Sequence, residues 1–212
     1  MSFEFSITTT TDRLPSVQAW NDALRERGFD VSLGDFRWDS QAGFLPVRVA
    51  SVQSGFEMYV ETVAQKRSLL GLFSRSDPQV RRVTARLGGS HLGCTAAVVS
   101  FAVLEALTGG TYAADLGDPK LPATQRMAEA QGTYSQTRFL LARLNEPLGL
   151  AAQVPVLQDW ETEAARQEMI QSLLAQRSIV EVKEGSVVSY RLHKGEQERL
   201  SEEIDQSSEI GE

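Results

Sequence analysis

Residues 92–107 constrain the fold more than any other part of the chain. They carry no charged side chain before Glu105, and apolar residues occupy every direction around a helical axis. A helix that is apolar all round is a buried helix. Ser90 is a suitable N-cap in front of it, and Gly109-Gly110 can end it. We therefore expect a central helix against which the rest of the core packs.

The residues ahead of this helix predict strands and one amphipathic helix. Phe3 to Ile7 alternate apolar and polar side chains, the period of a half-buried strand. Val17, Trp20 and Leu24 then fall on one helical face, and Gly28 can end that helix. Further strands are predicted at 29–33, 44–52 and 55–63. Residues 80–87 predict a strand or a short helix, and the alternation of Arg82 and Thr84 with Val83 and Ala85 favours the strand.

The residues beyond the central helix predict a short strand, three helices and a hairpin. The strand covers 111–113, two helices lie around 123–130 and 136–145, Asp159 caps a third, and the hairpin joins 179–182 to 187–192. This order predicts the α+β class: a mostly antiparallel sheet packed against a buried central helix, with additional C-terminal helices and a β-hairpin. We expect residues 1–194 to form a single domain. Residues 195–212 hold seven acidic residues against Arg199 and predict a disordered acidic tail.

Composition bounds the function classes. The 212 residues carry a net charge of -7, which argues against a general nucleic-acid binder. Cys94 is the single cysteine, so no disulfide can form within the chain, and a reducing compartment is expected. With two histidines, most zinc frameworks are excluded, and no metal or other cofactor is predicted. No signal peptide and no run of 18 apolar residues is visible, so we expect a cytoplasmic protein without a membrane span.

One arrangement could support nucleophilic catalysis. Cys94 follows Ser90 at the start of the predicted central helix, where the helix dipole favours a thiolate. His193, at the end of the predicted hairpin, is the candidate base, and Glu196 or Glu198 could orient it. This would be a papain-like thiol hydrolase. The alternative is that Cys94 fills the end of a core helix as a small apolar side chain.

The stretch from Gln65 to Arg86 is the best candidate for partner binding. It holds six basic residues against one acidic residue, around an apolar centre. Arginine and aromatic side chains are common anchors of protein interfaces. We therefore predict that a partner binds Arg67, Leu69, Leu70, Leu72, Phe73 and Arg75. The alternative is a hairpin whose apolar tip folds back on the core.

The helix end and the strand after it resemble a pattern of bacterial immunity-type proteins of polymorphic toxin systems. In that pattern an apolar helix is followed by Thr-Gly-Gly, a β-strand and a turn led by aspartate. The corresponding residues are Leu104 to Gly110, Thr111 to Ala113 and Asp115, and the opening strand with Trp20 and Gly28-Phe29 is similar. The resemblance implies a cytoplasmic α+β protein that binds and blocks a toxin and has no catalytic residues of its own.

Two functions follow as expectations. The first is a non-enzymatic immunity or inhibitor protein that covers the active site of a protein partner, and its acidity would suit a basic, nucleic-acid-cleaving toxin. The second is the thiol hydrolase that uses Cys94 and His193.

Overall fold

The computed structural model describes residues 3–50, 52–63, 79–88, 90–114, 121–145, 163–184 and 187–209. The chain divides into two compact units, Met1–Gln131 and Gly132–Glu212. The sequence predicted one domain over residues 1–194, whereas the structure divides the chain after Gln131. Each unit has its own buried residues, and the helix Ala123–Asn145 runs across the division.

The first unit is built on a six-stranded antiparallel sheet, which confirms the α+β class. The elements of this unit are β1 (Phe3–Thr10), a 3₁₀ turn (Thr11–Arg13), α1 (Val17–Glu26), β2 (Val31–Leu33), β3 (Ala42–Val49), β4 (Val52–Val63), β5 (Val80–Leu87), α2 (His91–Thr108), β6 (Thr111–Ala114) and the first turns of α3 (Ala123–Asn145). The strand order of the sheet is β2-β3-β4-β5-β1-β6.

Helix α2 is the predicted central helix, and it packs against the sheet. Ser90 caps it by accepting a hydrogen bond from Gly93 N, and Gly109 ends it in the left-handed conformation. A Cβ on Gly93 would lie 2.4 Å from the carbonyl oxygen of Gly55, so glycine lets α2 approach β4 closely. Trp20 of α1 is fully buried and donates a 3.0 Å hydrogen bond from Nε1 to the Ser100 carbonyl. The two helices therefore share one core with one face of the sheet.

Helix α2 also has the length and apolar composition of a membrane-crossing helix. Its 18 residues have a mean hydropathy of 1.5, and 72% of them are buried inside the protein. The core helices of soluble proteins have the same properties, so the absence of a membrane span stays a prediction.

The second unit packs three helices and a hairpin around an apolar cluster. Its elements are the later turns of α3, then α4 (Glu163–Ala175), β7 (Ile179–Glu184), β8 (Val187–Leu192) and α5 (Lys194–Glu209). The cluster consists of Phe139, Leu140, Ile170, Leu173, Ile179, Leu192 and Leu200. Strands β7 and β8 form the antiparallel hairpin that the sequence predicted.

Two predictions about the second half of the chain differ from the structure. The helices expected around 123–130 and 136–145 are one continuous helix, α3, because no proline interrupts the sequence between them. The tail predicted as disordered contains α5 instead. Leu200 is fully buried in the apolar cluster, and Arg199 lies 2.5 Å from Glu196, which reduces the repulsion among the acidic side chains. Asp159, the predicted cap of α4, lies outside the described residues.

Candidate functional site on the open face of the sheet

The six-stranded sheet has one face toward α1 and α2 and one face away from them, which we call the open face. Ile7, Met58 and Val83 are buried on the helix side. Side chains alternate between the two faces of a strand, so their sequence neighbours point the other way. These neighbours, including Ser6 and Thr84, are partly or fully exposed. The open face is therefore the accessible side of the sheet.

A hollow of about 500 Å³ lies on the open face. Its floor is formed by small side chains, because Ser6 pairs with Thr84 on one side and with Ala113 on the other. Longer side chains lie on both sides of the row formed by Ser6, Thr84 and Ala113. The lining residues are Glu4, Phe5, Ser6, Tyr59, Glu61, Arg82, Thr84, Arg86, Ala113 and Ala114. A hollow of this size is within the range of ligand sites in proteins, which is roughly 300–1,000 Å³.

Arg86 at one end of the hollow is held by carboxylates from both neighbouring strands. Its Nε donates a 2.6 Å hydrogen bond to Glu4 Oε1, and its Nη1 lies 3.7 Å from Glu57 Oε2. The hydrogen bond to Glu4 is the largest cause that raises the pKa of Arg86. The Tyr59 hydroxyl donates a 3.0 Å hydrogen bond to Glu57, and this bond is the main reason that the pKa of Tyr59 is raised. Glu4, Arg86, Glu57 and Tyr59 are thus linked to one another in a single polar network.

Arg82 at the other end of the hollow is not neutralised in this way. It lies opposite Glu61 on β4 and opposite Thr8 on β1. Among the described residues, no ion pair or hydrogen bond of the Arg82 side chain occurs, and both Arg82 and Glu61 are exposed. The hollow therefore has one internally satisfied arginine and one arginine whose donors face solvent.

The two predicted catalytic residues belong to different units of the chain. Cys94 is partly buried in the first turn of α2 in the first unit, and His193 is exposed in the second unit. His193 caps α5, since its Nδ1 accepts a 3.3 Å hydrogen bond from Gly195 N. Glu196 and Glu198, the expected orienting carboxylates, lie 2.5 Å from Arg199 and 3.7 Å from Lys194.

The residues predicted to bind a partner lie outside the described residues. They are Arg67, Leu69, Leu70, Leu72, Phe73 and Arg75, between β4 and β5. The same basic stretch continues into β5, which the structure does describe. There Arg81 forms a 3.0 Å ion pair with Asp39, and Arg86 is paired with Glu4. Of the three arginines of β5, Arg82 is therefore the one whose side chain has no ion pair or hydrogen bond among the described residues.

The described part of the chain contains no group of three or more His, Cys, Asp or Glu side chains that could hold a metal ion. No protein-family model, curated protein or solved structure matches the chain. The function must therefore be inferred from the residues of the site.

Sequence reasoning placed Arg82 in a basic stretch but did not identify the hollow. The available signal was the alternation of Glu57, Tyr59 and Glu61 on one strand and of Arg82, Thr84 and Arg86 on another. Only the antiparallel register shows which of these side chains stand opposite each other.

Proposed function

We propose that the protein is a non-enzymatic binding protein of the immunity or inhibitor type, which covers the active site of a toxin with the open face of its first unit. The observation that carries the proposal is the hollow with the free donors of Arg82 at one end. Tryptophan, tyrosine and arginine are enriched among the residues that contribute most to binding in protein interfaces, and Arg82 and Tyr59 both line this hollow.

The charge of the chain supports the same function. The net charge of -7 would attract a basic toxin over long range and increase the rate of association. The open face would then supply the short-range contacts, and the side chains around Arg86 already hold one another by hydrogen bonds within the protein. Side chains held in place lose less conformational freedom on binding.

The test uses the full-length protein, tagged and expressed in its native cells. We expect a stoichiometric 1:1 complex with a protein whose toxicity the complex suppresses. Ser6→Lys places a long side chain on the floor of the hollow and should abolish both the complex and the protection. The matched control is Ser32→Lys, which changes a partly exposed serine on β2 of the same face, outside the hollow.

Two outcomes would contradict the proposal. One is the absence of any stoichiometric partner. The other is a complex that Ser6→Lys and Ser32→Lys weaken equally. A further variant that lacks residues 69–74 tests the sequence-based prediction that Leu69, Leu70, Leu72 and Phe73 contribute to the contact.

Cys94 supports a second candidate function, a thiol hydrolase. The supporting observation is that Cys94 is partly accessible in the first turn of α2, where helix amides favour a thiolate. This function predicts that Cys94 reacts with iodoacetamide at neutral pH faster than a simple thiol of pKa about 8.5. It also predicts that His193→Asn slows this reaction although asparagine can still cap α5. An ordinary rate, unchanged by His193→Asn, would exclude it.

A further inference from the structure

The two arginines of the hollow occupy equivalent positions in the sheet. Arg82 and Arg86 are four residues apart on β5, so both point to the open face. On the β4 side each has a glutamate opposite, Glu61 for Arg82 and Glu57 for Arg86. On the β1 side the two positions differ, because Arg86 faces Glu4 and Arg82 faces Thr8.

Arg86 has a carboxylate on both neighbouring strands, and the carboxylate from β1 makes the closer contact. The Glu4 carboxylate lies 2.6 Å from Nε of Arg86, whereas Glu57 on the β4 side lies 3.7 Å from its Nη1. At Arg82 the position of the close carboxylate is occupied by a threonine, which is too short and uncharged to replace it. The guanidinium has five N–H donors in a fixed fork that matches a carboxylate.

Resting on the function proposed above, we infer that Arg82 binds an acidic side chain of the protein partner, which takes the position that Glu4 has at Arg86. The hydroxyl groups of Ser6 and Thr84 on the floor of the hollow can donate further hydrogen bonds to the same carboxylate. The carboxylates of hydrolytic enzymes act as acid–base catalysts and metal ligands. An arginine that captures such a group would block the active site directly.

The first experiment measures carboxylate binding without a partner protein. The probes are the capped tripeptide acetyl-Gly-Glu-Gly-amide and its glutamine counterpart, added to the full-length protein labelled with ¹⁵N. We expect the glutamate peptide to shift the Nε–H resonance of Arg82 and the amide resonances of Ser6 and Thr84. The glutamine peptide should leave them unchanged, and added salt should weaken the shifts because the contact is exposed.

Thr8→Glu is the decisive variant. It supplies the missing carboxylate from β1, opposite Arg82, while leaving Arg82 itself in place. We expect the internal carboxylate to compete with the probe and to reduce its binding at least about tenfold. Thr8→Gln has nearly the same shape without the charge and should bind the probe as the unmodified protein does.

The inference is overturned if the glutamate peptide does not shift the Arg82 resonance up to the solubility limit of the peptide, if the glutamine peptide causes the same shift, or if Thr8→Glu binds the glutamate peptide as tightly as Thr8→Gln does.

A partner protein, once isolated, gives a separate measurement. Arg82→Ala should weaken the complex at least about tenfold, and Arg48→Ala, an exposed arginine on β3 of the same face, should not. A complex unaffected by Arg82→Ala defeats the inference and leaves the proposed function standing. Probe binding at Arg82 without any partner contradicts the proposed function and with it the protein partner of the inference, and leaves Arg82 as a carboxylate-binding side chain only.

Discussion

Arg126 and Glu105 form a buried ion pair whose disruption should strongly destabilise the first unit. Their side chains are only 12% and 6% exposed. Nε of Arg126 donates a 2.7 Å hydrogen bond to Glu105 Oε2, and its Nη2 and Nη1 contact Glu105 Oε1 and the Leu121 carbonyl. The guanidinium carbon lies 4.5 Å from the centre of the Tyr112 ring. The pair therefore connects α2, the start of α3 and β6.

The expected loss in the free energy of unfolding comes from the buried charge of Glu105 when Arg126 is removed. Arg126→Leu removes the cation and leaves Glu105 buried without its partner, a change that costs about 3–5 kcal/mol in comparable pairs. A urea m-value of about 2 kcal/mol/M converts a loss of about 4 kcal/mol into a fall of about 2 M in the unfolding midpoint. Replacing both residues, as Glu105→Leu with Arg126→Leu, removes the uncompensated charge and should restore most of the stability.

The assay is urea unfolding of the unmodified protein, the single variant and the double variant, followed by fluorescence. Trp20 is a suitable probe, because it is fully buried in the same unit. The reasoning is refuted if Arg126→Leu lowers the free energy of unfolding by less than about 1 kcal/mol, or if the double variant is no more stable than the single one.

Three further predictions concern stability. Burial is the main cause that raises the pKa of Tyr112 above 10.0, so the folded protein retains the phenol proton longer than the unfolded chain does. Stability should therefore fall as pH rises above about 10, and Tyr112→Phe should reduce this fall, as measured by urea unfolding at two alkaline pH values. Gly93→Ala should lower the melting temperature, because its Cβ would collide with the carbonyl oxygen of Gly55. Gly132→Ala in α3 should raise the melting temperature, because its Cβ would meet nothing within 4 Å and alanine favours a helix; equal shifts of the two variants would refute the packing explanation. His193→Ala should cost about 1 kcal/mol and His193→Asn much less in thermal unfolding, and equal losses would exclude the capping role.

The fold was largely predictable because its main elements have strong local patterns. The apolar residues of α2, the alternation in β1 and the spacing of Val17, Trp20 and Leu24 in α1 each indicate one structure without tertiary information. Helix α5 was not predicted, because its acidic composition concealed the packing position of Leu200. Charge density alone favours disorder, whereas the burial of Leu200 and the ion pair of Arg199 with Glu196 favour the helix.

The hollow could not be predicted because it depends on strand pairing. Glu4 and Arg86 are far apart in the sequence, and a shift of one residue in the register would move Arg86 away from Glu4 and Glu57. The sequence did contain the alternating acidic and basic side chains of β4 and β5. It did not contain the information that Thr8, and not a carboxylate, stands opposite Arg82.

The equivalent positions of Arg82 and Arg86 also lead to a converse prediction. If Arg82 binds carboxylates because β1 supplies none, then Arg86 should acquire the same property when Glu4 is removed. Glu4→Thr reproduces at Arg86 the surroundings of Arg82, with a glutamate opposite on β4 and a threonine opposite on β1. In the ¹⁵N experiment the glutamate peptide should then shift the Nε–H resonance of Arg86 as well as that of Arg82. Because Glu57 still lies 3.7 Å from Arg86, the new site should be the weaker of the two. An Arg86 that remains unshifted in this variant would mean that the β1 carboxylate does not decide which arginine binds, and the argument from equivalence would fail.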